Sequence, residues 1–161
     1  MKAIPTDVSD FLEYRPETGD FFWLKSQGGP KKGDMAGSIS SNGYRYISFD
    51  RRRFLAHRLA WFCSHGRDPE ASIDHINGNK LDNRICNLRL ASQTQNLGNQ
   101  RGRRNNPAGY KGVTKVKWGW MARIQFQGRQ IYLGLFSSAQ AAHAAYCRAA
   151  VELFGEFARA A

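Results

Sequence analysis

Cysteines and long apolar runs are both scarce in this 161-residue chain, and each shortage excludes a class of protein. The three cysteines, Cys63, Cys86 and Cys147, are scattered and form no Cys-x-x-Cys pair. The sequence therefore encodes neither a disulfide framework nor a four-ligand zinc site. No apolar stretch approaches the roughly 20 residues of a membrane-spanning helix, and the N-terminus lacks an apolar signal-peptide core. We expect no membrane partner and a cytoplasmic location.

Acidic residues are also few, with 13 Asp and Glu against 24 Lys and Arg. The net charge is +11 and the pI is about 10.0. Basic side chains displace counterions from phosphates, so an excess of this size is typical of a protein that binds nucleic acid. A membrane surface is the weaker alternative, because no long Lys-rich amphipathic helix is present.

A basic polar segment at residues 99–107 divides the chain. Seventeen basic and 11 acidic residues precede or include Arg104, and seven basic and two acidic residues follow it. We predict an α+β protein with a β-rich lead-in at 1–56, a central core at 57–101, a basic linker at 102–109 and a C-terminal module at 110–161. Both halves carry the charge needed to contact the same nucleic acid.

The lead-in pattern predicts a short helix over residues 7–14, a turn at 16–19 and a strand at 21–25. Residues 36–40 and 44–49 flank Ser-Ser-Asn-Gly, which predicts a hairpin. The run Arg51 to Arg53 is expected as a basic turn, and residues 55–65 as a helix with apolar residues on one face.

The C-terminal module predicts three short strands at residues 110–116, 120–126 and 130–133, followed by a helix at about 138–154. Ser137 and Gln140 form a capping-box pattern at its start, and Gly155 is a natural stop. The helix is rich in alanine, which allows close packing on a sheet. We expect a three-stranded antiparallel sheet covered by one helix.

Four polar residues in the predicted central core are the candidates for a catalytic site. Asp74 and His75 end a predicted strand, a loop rich in Asn, Asp and Gly follows, and Asn87 begins a second strand. Ser92 and Gln95 predict a capping box, so that a helix begins at Gln93 and places Asn96 in its first turns.

Phosphodiester cleavage needs a base for the attacking water and a cation for the developing charge. His75 titrates near neutrality and suits the base. Asp74 and the Asn96 amide offer hard oxygens to a divalent ion, and two protein ligands favour Mg²⁺, with Mn²⁺ as the alternative. Asn87 is placed to brace the loop that follows His75.

The segment resembles HNH endonucleases of the phage and group I intron homing kind. The resemblance is carried by His57 to Trp61, Asp74 to Asn79, Asp82 to Arg84, Asn87 to Arg89, and Asn96. It implies a ββα-metal nuclease core, with His75 as general base, Asp74 and Asn96 as metal ligands, and Asn87 as the loop-bracing catalytic residue. A phage or prophage origin, in a bacterial host cell, is also implied by the resemblance.

The C-terminal module resembles the plant ethylene-response-factor, or Apetala-type, DNA-binding domain. The resemblance is carried by YKGV at 110–113, WGW at 118–120, IYLGLF at 131–136 and AAYCRAAVELFG at 144–155. It implies that the sheet lies in the major groove of double-stranded DNA. The residues expected to contact DNA are Arg58, Arg84, Arg89, Arg101, Arg103, Arg104, Lys111, Thr114, Lys115, Trp118, Arg123, Gln125, Arg129 and Tyr132.

The sequence thus predicts a metal-dependent HNH endonuclease that cuts or nicks double-stranded DNA and is targeted by its C-terminal sheet. A DNA-binding regulator with an inactive HNH scaffold is the main alternative. A structural or RNA-directed phage protein is a third.

Overall fold

The computed structural model describes residues 3–26, 29–100 and 106–159. They form two compact units, Met1–Leu90 and Ala91–Ala161, so the predicted core range 57–101 includes residues of both. Both units mix short sheets with helices, and the expected α+β class is confirmed at this level. No helix in the described ranges has the length and apolar character required to cross a membrane.

The first unit begins with a 3-10 turn at Thr6–Asp10 and an antiparallel pair, β1 (Leu12–Arg15) and β2 (Asp20–Trp23). The predicted helix at 7–14 is wrong beyond Asp10. Leu12 is buried and Tyr14 half-buried, while the residues between and after them are exposed. This alternation has the period of a strand, and pairing with β2 satisfies its backbone groups.

A second sheet contains β3 (Ser38–Ile39), β4 (Arg45–Phe49) and β5 (Arg52–Leu55) in that order, with antiparallel pairing. The predicted hairpin is confirmed, but β5 was missed. The turn occupies Asp50 and Arg51, both with positive φ, and Arg52 and Arg53 already belong to the strand. Helix α1 (Ala56–His65) follows and buries Leu59 against a core that includes Phe21 and Ile47.

The unit ends with the strand that carries Asp74 and His75. Strand β6 (Ser72–His75) pairs with β7 (Leu88–Ala91), and the loop between them closes with a 3-10 turn at Ile85–Asn87. The second strand therefore begins one residue later than predicted, because Asn87 belongs to the turn.

The second unit opens with α2 (Gln93–Asn99), and the capping box of Ser92 and Gln95 is confirmed. Strands β8 (Val113–Val116), β9 (Gly119–Phe126) and β10 (Arg129–Phe136) form the predicted antiparallel sheet in the order β10-β9-β8. Helix α3 (Ala139–Phe154) packs on it and ends at Gly155 as predicted. Its cap is Ser138 rather than Ser137, because the Ser138 hydroxyl accepts from the Ala141 amide.

Candidate functional site

His75 lies at the end of β6 and is only 5% exposed. Its Nε2 is 3.1 Å from Oδ1 of Asn83, a side chain that is itself fully buried. Burial lowers the pKa of His75, and the Asn83 hydrogen bond acts in the opposite direction. The ring is therefore neutral at physiological pH, which is the state that can accept a proton.

Two aromatic rings surround this imidazole. The His57 ring meets the His75 ring edge-to-face with centroids 5.1 Å apart, and Tyr44 lies 5.4 Å from His57 and 6.1 Å from His75. Burial lowers the pKa of His57 to about 3, so His57 is also neutral. Its Nδ1 is buried and has no hydrogen-bond partner in the described part of the chain. These rings restrict the rotation of the His75 ring.

Asp74 precedes His75 on β6 and pairs with the neighbouring strand. Its Oδ2 accepts a hydrogen bond from Nε of Arg89 at 3.0 Å, and both side chains are mostly buried. A buried carboxylate is costly unless it is paired, so Arg89 compensates its charge.

The loop after His75 is held by side-chain amides. Asn87 accepts from the Asn77 amide at 3.0 Å, and its Nδ2 donates to Asn77 Oδ1 and to the Asp82 carbonyl. Asp82 in turn accepts two short hydrogen bonds from Arg84, which hold the pKa of Asp82 at about 2. This network gives the loop a defined course around His75.

The carboxylate of Asp74 suits a hard divalent ion, because Mg²⁺ prefers oxygen ligands and is usually bound through one or two carboxylates. Among the described residues, no group of three or more His, Cys, Asp and Glu side chains is arranged to hold a metal. The predicted ligand set, one carboxylate and one amide oxygen, contains only one residue of these four types. Asn96, the second predicted ligand, lies half-buried on α2 in the second unit.

The segment that holds these residues has known relatives. Residues 54–97 match the family described as HNH endonuclease. This HNH segment contains Asp74, His75, Asn87 and Asn96, and it confirms the predicted resemblance over that range. The Apetala-type resemblance of the C-terminal module stays a prediction.

The chain also has relatives in viruses. Protein 3.8 of Escherichia phage T7 is 34% identical over 77 residues, which are 46% of this chain and 64% of that protein. An uncharacterized HNH endonuclease of Acanthamoeba polyphaga mimivirus is 32% identical over 123 residues, 74% of this chain and 63% of that protein. The chain thus spans a little less than two thirds of each relative. No solved structure matches the chain.

The sheet of the second unit carries seven of the fourteen predicted DNA contacts, and four of them, Thr114, Arg123, Gln125 and Tyr132, share its outward face. Arg123 pairs with Tyr132 and Gln125 with Gln130 across β9 and β10, and all four are exposed. Exposed side chains also include Thr114, Lys115, Trp118 and Arg129. Helix α3 covers the other side of the sheet.

Other predicted contacts lie elsewhere. Arg58, Arg84 and Arg89 form ion pairs with Asp68, Asp82 and Asp74 in the first unit. Lys111 donates to the carbonyls of Leu97 and Gly98, and burial lowers its pKa to about 8. It therefore satisfies the C-terminal end of α2. Arg101, Arg103 and Arg104 lie outside the described residues.

The sequence did not single out Asn83 as a site residue. It stands among polar residues in a loop, and no apolar periodicity signals that it is buried. The sequence offered one signal, which is that Asn83 lies eight positions after the candidate base in the loop that returns to it.

Proposed function

We propose that this chain is a metal-dependent endonuclease that cuts or nicks double-stranded DNA. The observation that carries the proposal is the state of His75. It is a buried imidazole with its Nε2 against Asn83, beside Asp74, inside the HNH segment, and burial lowers its pKa.

The reaction would proceed by attack of a water oxygen on a phosphodiester phosphorus. His75 takes a proton from that water as the new P–O bond forms, and the bond to the leaving oxygen breaks. Asn87 holds the loop between His75 and Asn87 in place by its three hydrogen bonds. Tyr44 and His57 reduce the access of bulk water to the imidazole.

Asp74 supplies a hard oxygen to a divalent ion, Mg²⁺ or Mn²⁺, and Asn96 is the second proposed ligand. When bound, the ion would stabilise the negative charge that develops on the phosphate oxygens. Arg89 lies against the same carboxylate and would share it with the ion.

DNA affinity is assigned to the second unit. Residues 91–161 contain ten basic and two acidic residues, whereas residues 1–90 contain 14 and 11. The sheet surface with Arg123, Gln125 and Tyr132 combines charged, amide and aromatic side chains, which suit phosphate and base contacts. A phage or other viral origin agrees with the two relatives.

A supercoiled-plasmid assay tests the proposal. We expect conversion to nicked or linear DNA in Mg²⁺ or Mn²⁺, and none in a chelator. His75→Ala should abolish conversion and retain DNA binding. His65→Ala is the matched control, because that histidine is exposed at the end of α1 and stacks on Trp61. Full cleavage by His75→Ala would contradict the mechanism.

A DNA-binding regulator with an inactive HNH scaffold is the second candidate. The ion pair of Asp74 with Arg89 favours it, since an arginine already occupies the proposed ligand. This candidate predicts DNA binding with no nicking by the wild-type chain in either metal.

A further inference from the structure

Asn83 has a buried side-chain amide that contacts the imidazole of His75. It is 1% exposed, and its Oδ1 lies 3.1 Å from His75 Nε2. A buried hydrogen bond of this kind must pair a donor with an acceptor, because an unmatched polar atom costs free energy there. The orientation of the amide therefore decides which of the two ring nitrogens of His75 carries the hydrogen.

The other end of the amide fixes that orientation. Asn83 Nδ2 donates to the carbonyl of Leu81 at 3.3 Å. A rotated amide would place its oxygen against that carbonyl, and two acceptors would face each other. With the nitrogen turned to Leu81, the oxygen faces His75 and can only accept.

We infer that Asn83 is a positioning residue that holds neutral His75 in the tautomer with hydrogen on Nε2, so that Nδ1 carries the proton-accepting lone pair. This inference rests on the proposed function, in which His75 is the base. It names the nitrogen that acts. In this role Asn83 acts through His75 and is neither the base nor a metal ligand.

The backbone of Asn83 is anchored by the N-terminal hairpin. Tyr14 donates from its hydroxyl to the Asn83 carbonyl at 2.8 Å. Gly19, in the turn between β1 and β2, lies against the backbone of Asn83 and Arg84, where no Cβ would fit. The lead-in thus supports the residue that orients the base.

The same contact also favours the protonated ring. When Nδ1 accepts a proton, Nε2 keeps its hydrogen and the bond to the Asn83 oxygen becomes charge-assisted. The acceptor thus serves both protonation states without rotation of the ring. A donor at this place would instead favour the neutral tautomer with hydrogen on Nδ1 and would oppose protonation of Nε2.

Nitrogen-15 spectra of the full-length protein test the tautomer directly. Long-range proton–nitrogen correlations distinguish a protonated from an unprotonated ring nitrogen, and His75→Gln assigns the His75 signals. At mildly alkaline pH we expect a protonated Nε2 and an unprotonated Nδ1. A wild-type ring with its hydrogen on Nδ1, or an even mixture, would overturn the inference.

Two substitutions connect the tautomer to Asn83. Asn83→Leu keeps the branching at Cγ and has no acceptor, so the preference for Nε2–H should be lost and nicking should fall roughly 10- to 100-fold. Asn83→Asp keeps the shape and an acceptor, so Nε2–H should persist with its proton further downfield. An unchanged proton in Asn83→Asp, or an unchanged tautomer in a folded Asn83→Leu, contradicts the inference.

Circular dichroism shows whether each variant folds. If Asn83→Leu does not fold, the Asn83→Asp spectrum decides. The spectra do not depend on catalysis. A wild-type chain that has the Nε2–H tautomer and does not nick DNA would refute the proposed function and leave this inference in place.

Discussion

Arg89 donates from Nε to Oδ2 of Asp74 across 3.0 Å, and the two side chains are 15% and 10% exposed. The pair joins adjacent strands of the hairpin that carries the proposed base. It makes the carboxylate next to His75 part of the stability of the first unit as well as a proposed ligand.

Replacing Arg89 should show the structural part of this role. Arg89→Met keeps much of the volume and removes the positive charge beside Asp74. We expect the free energy of unfolding to fall by about 3 kcal/mol, measured by urea denaturation. Asp74→Asn with Arg89→Met should lose less than the sum of the single losses. Additive losses would show that the two residues are not coupled.

Acid should destabilise the protein through His57. Its pKa is 6.5 when unfolded and about 3 when folded, so the unfolded chain binds more protons between these values. The stability from this group is complete above about pH 6.5 and is lost as pH falls toward 3. Between pH 7 and 5 we expect a loss of about 2 kcal/mol in urea denaturation. His57→Phe should reduce that slope, and an unchanged slope would exclude His57 as its source.

The residues that the sequence proposes for the site are those whose chemistry and spacing are both distinctive. Asp74, His75 and Asn87 lie around one hairpin, and the capping box at Ser92 placed the start of α2 correctly. The strands and helix of the C-terminal module followed from alternation and from its alanine-rich pattern. Local pattern was sufficient in these places.

Other features depend on tertiary contacts. The basic residues Arg52 and Arg53 suggested a turn, yet pairing with β4 makes them a strand. Asn83 is buried because the β1–β2 hairpin covers it, and nothing next to it in sequence signals that. The ion pair of Asp74 with Arg89 requires the pairing of β6 and β7, which spacing alone does not give.

The bracing role of Asn87 predicts a local change in backbone exchange. Asn87→Ala removes the acceptor of the Asn77 amide and two donated hydrogen bonds. We expect a loss of about 1–3 kcal/mol and faster hydrogen exchange at the Asn77 amide. Asn79→Ala is the control, because Asn79 accepts from the Leu81 amide in the same loop. Equal exchange at Asn77 in both variants would argue against bracing.

Gly19 should tolerate no side chain. Its φ is +76°, and a Cβ would overlap the backbone of Asn83 and Arg84. Gly33 has φ +90° with open space around it, so Gly33→Ala measures the backbone strain alone. We expect about 1 kcal/mol for Gly33→Ala and roughly 2–4 kcal/mol for Gly19→Ala. Thermal denaturation compares them, and equal losses would show that the overlap relaxes freely.

Trp118 should contribute to DNA affinity and not to stability. It is 78% exposed at the turn between β8 and β9, with the Lys117 ammonium 4.8 Å from its ring centre. Trp118→Ala should weaken duplex binding by about 10-fold in fluorescence anisotropy, since losing an aromatic contact with the sugar–phosphate backbone or a thymine methyl costs about 1.4 kcal/mol. Val151→Ala changes an exposed residue on α3 and should bind normally. Unchanged binding by Trp118→Ala would remove this residue from the interface.

The close contact of Gly98 with Phe154 restricts how this gene can exchange parts with others. The HNH segment ends at residue 97, but the helix α2 that ends it packs on α3, where the Phe154 ring leaves no room for a Cβ on Gly98. Ala91 belongs to the same apolar cluster as Phe154 and Phe157. Recombination at the basic segment 99–107 would separate α2 from the residues that cover it. A viable exchange of the C-terminal part must therefore bring α2 with it or preserve an aromatic residue that accepts Gly98.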